Sequence, residues 1–404
     1  MTIVSREAVV MWSAMVLQKE KAAVHTAKRA RIEAPTKEEA PLPVRLILGW
    51  GGSGKSQKGF EYAKAFDAGV IFLSLTAALL SSVPETLNLV YKLTVAAFVC
   101  RPALVVPHGV CLYIDEVSMI PPELMQAVMV RAKHCAVVCT GDVFQIQPIP
   151  VLTRGAPEPK HKWFFEAPAF KNRSPIVSIT REQHRLTGGG CTEIRSVLES
   201  VAGQSEKNMQ WRTALADFIG ARRVRTPPEG AYIIVFTNED IDCVTLAWAK
   251  QNGKSLNRHK LCEGLPAIIT ANKILKSTHK SVEYAYRNGD PVTILTLNDT
   301  STRVKTEGGK ILTVPHAGVG DGVPQIKSRI AQTADAAQGK TIGAPVHVIF
   351  PKSFFPHPAK IIVAASRSKV TTFAIPDEQI YQRGIAQATF DKTAVEYITQ
   401  HSNP

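Results

Sequence analysis

A glycine-rich stretch with one lysine carries the clearest chemistry in this sequence. It reads GWGGSGKS and fits the pattern G-x-x-x-x-G-K-[ST], which binds nucleotide phosphates. Its glycines let backbone N–H groups turn toward phosphate oxygens, and the N-terminus of a following helix adds a positive dipole end. We expect Lys55 to reach the β- and γ-phosphates and the Ser56 hydroxyl to hold Mg²⁺. The residues expected to form the phosphate cradle are Gly49, Gly51, Gly52, Ser53, Gly54, Lys55 and Ser56.

An acidic pair and a glutamine follow two further apolar runs. Asp115 and Glu116 come directly after VCLYI, and Gln145 lies in GDVFQ after a second run. In nucleotide hydrolysis, Asp115 would hold Mg²⁺ through water and Glu116 would act as general base toward the attacking water. The Gln145 amide suits a sensor of the γ-phosphate, and an ordinary loop with one polar residue is the alternative.

Two arginines are candidates for neutralising the charge that develops during phosphoryl transfer. Arg185 lies in REQHR, and Arg367 lies in ASRSK after another apolar run. An arginine in this role is worth about 10³–10⁵ in rate. Taken singly, each arginine also fits an ordinary surface residue, since arginine is mostly exposed.

Buried strands must bring these side chains together. Apolar runs of strand length alternate with helical segments, which favours a parallel sheet covered on both faces. Ligands of such sheets lie at the carboxyl ends of the strands, where the glycine loop, the acidic pair and Gly141-Asp142 all fall. The predicted strands of this first group are Val44–Leu48, Val70–Leu75, Val110–Ile114 and Cys135–Thr140, whereas residues 81–109 read as irregular.

A second group of elements begins with the apolar run YIIVF, which ends at Thr237. A helix follows through Lys250, and residues 386–400 are predicted to form a closing helix. Residues 255–320 are basic, rich in Val, Ile and Thr, and interrupted by turn signals. They predict a small β-barrel-like insertion, with a long irregular connection as the alternative. Further strands are predicted at Val346–Phe350 and Ile361–Ala365.

Composition limits the number of domains, the kind of partner and the cellular compartment that we expect. The chain has 404 residues, of which 45% are hydrophobic, which is enough for two or three domains. Its 48 basic and 34 acidic residues give a net charge of +14, which suggests a polyanionic partner but fits a generic basic protein equally well. The seven cysteines show no metal-binding spacing and fit a reducing compartment. No membrane-length apolar stretch or signal pattern is present, so we expect a soluble, intracellular protein.

The order of these segments resembles that of superfamily 1 helicases over roughly residues 44–375. GWGGSGKS, VIFLSLT, LYIDEVSM and TGDVFQIQPI resemble motifs I, Ia, II and III, and VFTNEDID, TADAAQGKT and IVAASRSK resemble motifs IV, V and VI. FFEAPAF, from Phe164 to Phe170, followed by REQHR, resembles the 5′-to-3′ branch of RecD-like, Dda-like and petite-integration-frequency (PIF) helicases. Viral superfamily 1 RNA helicases share the motif order and are the nearest alternative.

This resemblance implies an α/β fold with two RecA-like lobes that close on ATP and Mg²⁺. Lobe 1 is expected over residues 41–185 and lobe 2 over 231–404, with the insertion at about 255–320. A linker and helical region is expected over 186–230, and a helical, basic segment over 1–40. In the branch, the arginine matching Arg185 approaches the γ-phosphate, and Gly339 of motif V is a further expected nucleotide contact. Single-stranded nucleic acid would contact Thr76, Thr237 and Thr333.

The implied activity is ATP hydrolysis coupled to 5′-to-3′ movement along single-stranded DNA and to duplex unwinding. A viral RNA helicase or RNA-stimulated NTPase is the first alternative. A metabolic or nucleotide kinase is the second, disfavoured by motifs V and VI. The resemblance further implies a monomer that works with replication proteins, in the cytoplasm or in the nucleus of a host if the protein is viral.

Overall fold

The computed structural model describes most of the chain between residues 42 and 402. The described residues are 42–75, 80, 83–101, 104–146, 148, 163–180, 194, 197, 210–277, 282–318, 322–340 and 342–402. Four predicted features lie wholly or partly outside them: Thr76, Arg185 with its REQHR segment, the N-terminal segment 1–40, and the linker over 186–209 apart from residues 194 and 197.

The first lobe is built on a six-stranded parallel sheet with the strand order β3-β2-β4-β5-β1-β6. Its four inner strands are buried on both faces, apart from one half-buried residue in β1. The strands are β1 Val44–Gly49, β2 Val70–Ser74, β3 Leu89–Thr94, β4 Cys111–Ile114, β5 Ala136–Gly141 and β6 Ile176–Thr180. The helices are α1 Lys55–Ala63, α2 Val95–Cys100, α3 Pro122–Arg131 and α4 Pro168–Lys171, with 3₁₀ turns at Val117–Met119 and Phe164–Glu166.

The expectation of irregular structure over residues 81–109 is wrong, because this stretch contains β3 and α2. The prolines that suggested a break flank these elements instead of interrupting them. β3 is a half-buried edge strand, so its sequence lacks the continuous apolar run of the inner strands. Thr94 then begins α2, where its side chain accepts a hydrogen bond from Ala97 N at 3.2 Å.

The second lobe has a four-stranded parallel sheet with the order β15-β7-β16-β17. Its strands are β7 Tyr232–Val235, β15 Ala331–Thr333, β16 Val346–Ile349 and β17 Thr371–Ala374. Five helices accompany this sheet in the described part of the chain: α5 Gln210–Gly220, α6 Asn238–Gln251, α7 Ala334–Ala337, α8 Pro358–Ala365 and α9 Glu378–Gln387. They are followed by α10 Lys392–Ser402.

Two predictions for this lobe are wrong. The run Ile361–Ala365 belongs to helix α8, not to a strand. Seven of the eight residues of α8 are buried, so the helix shows no polar face and its sequence cannot be told from that of a buried strand. The predicted closing helix is two helices, α9 and α10, with a break over 388–391, where Asp391 Oδ1 accepts a hydrogen bond from Ala394 N at 3.1 Å.

The insertion in lobe 2 is an antiparallel sheet of five strands in the order β13-β12-β11-β8-β14. It has its own apolar core, separate from that of the lobes. Among the described residues its strand order is open, so closure into a barrel stays a prediction. Its strands are β8 Pro266–Ile269, β11 Pro291–Leu297, β12 Ser301–Thr306, β13 Ile311–Pro315 and β14 Ile326–Ser328, and β9 Lys273–Ser277 pairs with β10 Val282–Tyr286 beside them.

The last described helix returns to lobe 1. Helix α10 packs against β6, and the Tyr397 ring stacks on Phe165 at 3.9 Å between centroids. Just before α10, Asp391 Oδ1 accepts a hydrogen bond from Trp163 Nε1 at 3.0 Å. One hydrophobic core therefore runs through both lobes and the C-terminal segment. None of the described helices is both long enough and apolar enough to cross a membrane.

Candidate nucleotide site and nucleic-acid edge

The P-loop joins the carboxyl end of β1 to helix α1. Gly52 and Gly54 have φ values of 88° and 75°, which favour glycine because it lacks a Cβ. A methyl group at Gly49 would lie 2.1 Å from Thr180 Oγ1, so only glycine fits there. Ser53 Oγ and Thr180 Oγ1 hydrogen-bond at 2.7 Å, which ties the loop to β6. Ser53 therefore holds the loop twice, because its backbone N–H also donates to Trp50 O at 3.1 Å.

Lys55 is held inside the loop as a buried cation. It is 6% exposed, and its Nζ donates to Trp50 O at 3.5 Å. One long bond to a carbonyl satisfies little of an ammonium group, and burying a charge is costly unless it is paired. The arrangement therefore suits an anionic ligand in the loop.

Asp115 lies at the end of β4 in a network of hydroxyl groups. Its Oδ1 accepts from Thr140 Oγ1 at 2.6 Å and from Ser56 Oγ at 3.4 Å. Tyr113 OH completes the network through Ser56 O and Thr140 Oγ1, both at 3.2 Å. Burial, followed by the nearby Glu116 carboxylate, raises the pKa of Asp115 above its ordinary value. A bound cation would offset both effects.

Glu116 has a strained backbone and a free carboxylate oxygen. Its φ is 51°, a left-handed conformation that costs a non-glycine residue about 1–3 kcal/mol. The side chain is 9% exposed, and its Oε2 has no hydrogen-bond partner. A buried, unpaired carboxylate oxygen beside the P-loop is suited to accept a proton from water.

Gln145 is positioned by a neighbouring carboxylate. Its Nε2 donates to Asp142 Oδ2 at 2.8 Å, while its Oε1 is buried without a partner. Asp142 Oδ1 also accepts from Phe144 N at 3.0 Å, so one carboxylate fixes both the turn and the amide. Burial raises the pKa of Asp142, and the charge of Lys55 opposes that rise. Asp142 is thus a positioning residue that the sequence indicated only as a strand end.

Arg367 enters this site from lobe 2. It lies 3% exposed between α8 and β17, and its Nη1 donates to Lys340 O at 3.2 Å. A methyl group at Gly51 would lie 3.3 Å from Arg367 Nη2 and 3.5 Å from Gln145 Nε2. The P-loop, the turn after β5 and the turn after α8 therefore meet at one point, although Gln145 and Arg367 lie more than 200 positions apart in the chain.

Gln338 is a buried polar side chain beside Gly339, a glycine expected to contact the nucleotide. Gly339 has a φ of 77°, and next to it Gln338 is 5% exposed with no hydrogen-bond partner for either amide atom. Lys340 Nζ donates to Gln332 Oε1 at 2.7 Å, and burial, followed by the charge of Arg329, lowers the pKa of Lys340. In the sequence, Gln338 could have been noticed because it is a polar residue directly before Gly339, which is predicted to contact the nucleotide.

Thr237 and Thr333 lie at the carboxyl edge of the second sheet. Thr333 ends β15, Thr237 comes two residues after the end of the neighbouring parallel strand β7, and each caps the helix that follows. Thr237 Oγ1 accepts from Asp240 N at 3.0 Å, and Thr333 Oγ1 accepts from Ala336 N at 3.2 Å. Both hydroxyls therefore cap helices, and the first-turn N–H groups of α6 and α7 face the same edge.

A line of aromatic rings was also missed. Trp50, inside the P-loop, lies 4.8 Å from Phe144 between ring centroids, and Phe144 lies 5.9 Å from Phe390. Trp50 Nε1 is buried without a hydrogen-bond partner. A tryptophan among the glycines of the P-loop was the available signal in the sequence.

No protein-family model and no curated protein sequence matches this chain. Among solved structures, it is similar to Pif1 helicase from Candida albicans, with a TM-score of 0.57 and 15% identity over 89% of this chain and 96% of that one. Bacteroides Pif1 bound to single-stranded DNA gives a TM-score of 0.55 and 16% identity, over 85% and 93% of the two chains. Bacteroides Pif1 helicase in complex with ADP-AlF3 and single-stranded DNA gives 0.54 and 16%, over 86% and 94%. At such identities the likeness is one of fold, and it confirms the two RecA-like lobes and, at that level, the predicted likeness to PIF-type helicases.

Proposed function

We propose that this protein is an ATP hydrolase that moves along single-stranded nucleic acid and separates duplexes, 5′ to 3′ on DNA. The observation that carries the proposal is Arg367 of lobe 2 lying beside Gly51 and Gln145 of lobe 1. A hydrolysis site divided between two lobes responds to nucleotide by moving one lobe relative to the other. A kinase whose site lies within one lobe has no need of this arrangement.

The residues of the site fit ATP and Mg²⁺. Lys55 is buried at the start of α1, where its ammonium group can meet phosphate oxygens together with the N-terminus of that helix. Ser56 Oγ and Asp115 Oδ1 form a pair of hard oxygen donors, which suits Mg²⁺ bound through few protein ligands together with phosphates. Bound there, the cation would neutralise charge on the phosphates.

Each remaining residue has one proposed task in hydrolysis. Glu116 accepts the proton of the attacking water through its unpaired Oε2. Gln145 orients that water and the terminal phosphate with its free Oε1 and its Nε2. Arg367, with Arg185 as the second predicted arginine, neutralises the charge that develops on the transferred phosphoryl group.

Strand binding is proposed at the carboxyl edge of the sheets. Thr237 and Thr333 cap helices at this edge of the second sheet and are proposed to contact the phosphates of the strand, and Thr76 is predicted to do the same in lobe 1. Hydrolysis would then change the distance between the strand contacts of lobe 1 and those of lobe 2. Both halves of the site belong to one chain, so we propose that a monomer suffices.

DNA is proposed over RNA because two of the similar solved structures are bound to single-stranded DNA. The 5′-to-3′ direction rests on the sequence segments FFEAPAF and REQHR. The RNA alternative rests on the motif order shared with viral RNA helicases. An intracellular location and replication partners belong to the same proposal.

A strand-displacement experiment tests the function, its direction and its substrate together. Partial duplexes of DNA or RNA carrying either a 5′ or a 3′ single-stranded overhang would be mixed with ATP and Mg²⁺. We expect unwinding of the DNA duplex with the 5′ overhang and none with Lys55→Ala, which removes the phosphate-binding cation.

Each other outcome has a definite meaning. Unwinding only from a 3′ overhang would contradict the direction, and unwinding only of RNA would favour the viral type. ATP hydrolysis that does not respond to any nucleic acid would contradict the translocase and favour a kinase-like or unrelated ATPase.

A further inference from the structure

The ring of Phe390 lies between residues of lobe 1 and residues that accompany lobe 2. It lies in the break between α9 and α10, and its ring is perpendicular to that of Phe144, with centroids 5.9 Å apart. Trp211 of α5 lies 4.9 Å from it on another side, and His357, before α8, lies 6.2 Å away. One half-buried ring therefore touches the turn after β5 in lobe 1 and two elements that accompany lobe 2.

Phe144 connects this ring to the reacting groups. It is 2% exposed and immediately precedes Gln145, so a change in its position moves the Gln145 backbone. Its own ring packs on Trp50, whose carbonyl oxygen accepts from Lys55 Nζ and from Ser53 N. Close-packed rings transmit displacement, since interiors pack as densely as crystals.

The segment that carries Phe390 is fixed from both sides. Asp391 Oδ1 accepts from Trp163 Nε1 in lobe 1, and Ala388 O accepts from Arg212 Nε at 2.8 Å. Tyr397 holds the following helix on Phe165. Phe390 is therefore supplied by a segment bonded to lobe 1 and to α5 at once, and its position depends on how the lobes sit relative to each other.

We propose that Phe390 is a positioning residue for ATP hydrolysis, holding Phe144 so that Gln145 and the P-loop are aligned when the lobes close. It acts through its ring contact with Phe144. The inference rests on the proposed function, because alignment of Gln145 matters only if the site hydrolyses ATP. It adds to that function a contact from the C-terminal segment that links closure of the lobes to the turn carrying Gln145.

The test compares Phe390→Ala with Phe390→Tyr, which keeps the ring, and with a matched control, Phe66→Ala. Phe66 is also half-buried and makes one edge-to-face contact, with Tyr62 at 5.6 Å, on the opposite end of α1 from the P-loop. In nucleic-acid-stimulated hydrolysis, we expect Phe390→Ala to lower kcat by about tenfold or more while KM for ATP stays within about twofold, because misalignment affects the transition state more than binding. Phe390→Tyr should recover most of kcat, and Phe66→Ala should match the parent.

A second readout does not need hydrolysis. The emission of Trp50 is obtained for each variant by subtracting the spectrum of the same variant carrying Trp50→Phe. Phe390→Ala should shift this emission in the absence of nucleotide, because the ring that holds Phe144 against Trp50 is gone, and Phe66→Ala should leave it unchanged.

The kcat of ATP hydrolysis and the Trp50 emission together distinguish a failure of this inference from a failure of the proposed function. If the parent protein hydrolyses no ATP with any nucleic acid, the proposed function fails, and unchanged Trp50 emission in Phe390→Ala then overturns the packing role as well. If the parent protein hydrolyses ATP, a parental kcat in Phe390→Ala overturns the inference. So does a loss of kcat in Phe66→Ala as large as that in Phe390→Ala, since both would then reflect general destabilisation.

Discussion

Arg367 reaches the P-loop with all three guanidinium nitrogens already bonded to the chain. Nε donates to Val363 O at 2.8 Å, Nη2 to Ser366 Oγ at 2.8 Å, and Nη1 to Lys340 O. These bonds fix the plane of the group before a nucleotide arrives. Such preorganisation allows a charge to act in the transition state without being reorganised at that moment.

Replacing Arg367 should therefore affect turnover more than binding. We expect Arg367→Ala to lower kcat by about 10³ or more. Arg367→Lys should not restore it, since an ammonium group cannot reproduce the planar set of bonds. Steady-state hydrolysis with a thermal unfolding check makes the measurement, and Arg383→Ala, on the exposed face of α9, is the control. Parental turnover in Arg367→Ala would mean that another residue neutralises the charge.

Glu116 offers a second test at a single residue. Glu116→Gln keeps the shape of the side chain but removes the carboxylate, so hydrolysis should fall by about 10²–10⁴. Nucleotide affinity, measured with fluorescent ATP, should be retained because the phosphate cradle is untouched. The control is Glu123→Gln in the exposed first turn of α3. A variant that hydrolyses ATP normally would show that the base lies elsewhere.

At the scale of elements, Thr333 joins a strand end to a helix start. Thr333→Val should weaken binding of a labelled single strand by about fivefold, the value of one hydrogen bond, and lower the free energy of unfolding by about 1 kcal/mol through loss of the cap. Thr333→Ser should preserve both. Fluorescence anisotropy and thermal unfolding separate the two effects. If the valine variant is less stable but binds the strand normally, the hydroxyl has only a structural role.

Strand β16 carries a buried histidine whose protonation should oppose folding. His347 is 1% exposed, its Nδ1 lies 2.9 Å from Thr372 Oγ1, and burial lowers its pKa below the ordinary 6.5. The unfolded chain therefore binds a proton more readily than the folded one. Its contribution to stability is complete above pH 6.5 and is lost as the pH falls through 6.5 toward the lower pKa of the folded state.

We expect the unfolding temperature to fall between about pH 7 and pH 5, and the fall to be smaller in His347→Asn. Asparagine can still hydrogen-bond Thr372 but does not titrate. His134→Asn, at an exposed position, is the control. An unchanged pH profile in His347→Asn would assign the dependence to other groups.

The sequence predicted those elements whose local pattern matched their environment. β4 is apolar along its whole length, and β1 and β5 are interrupted only by Arg45 and Thr140, because both faces of these strands are covered. The residues of the candidate site follow each of the three strands directly. Helix α8 was missed because full burial removes helical periodicity, and β3 because an edge strand has a weak pattern. Contacts such as Phe144–Phe390 and Ser53–Thr180 could not be predicted, because they join residues far apart in the chain. The missing hydrogen-bond partner of Glu116 Oε2 could not be predicted either, because it depends on which groups surround that atom after folding.

Across the whole molecule, the excess of positive charge gives strand binding a definite salt dependence. Each phosphate neutralised on a single strand contributes about −0.7 to the slope of log K against log salt, which is roughly a 2.6-fold loss of affinity between 50 and 200 mM. The net charge of +14 predicts several such contacts and little preference for base sequence. Anisotropy titrations over this range measure the slope. Affinity that does not change with salt would contradict phosphate-based binding.

The return of helix α10 to lobe 1 has a consequence for the order in which the protein is completed during synthesis. Phe165 stacks on Trp163 beside it and on Tyr397, which lies more than 200 residues further along the chain. A ribosome would therefore have made all of lobe 2 before the aromatic surface of lobe 1 received its cover. Until then that apolar surface is exposed to solvent and to chaperones. A fragment that stops before residue 388 should therefore aggregate. Adding residues 388–402 as a separate peptide should restore its solubility.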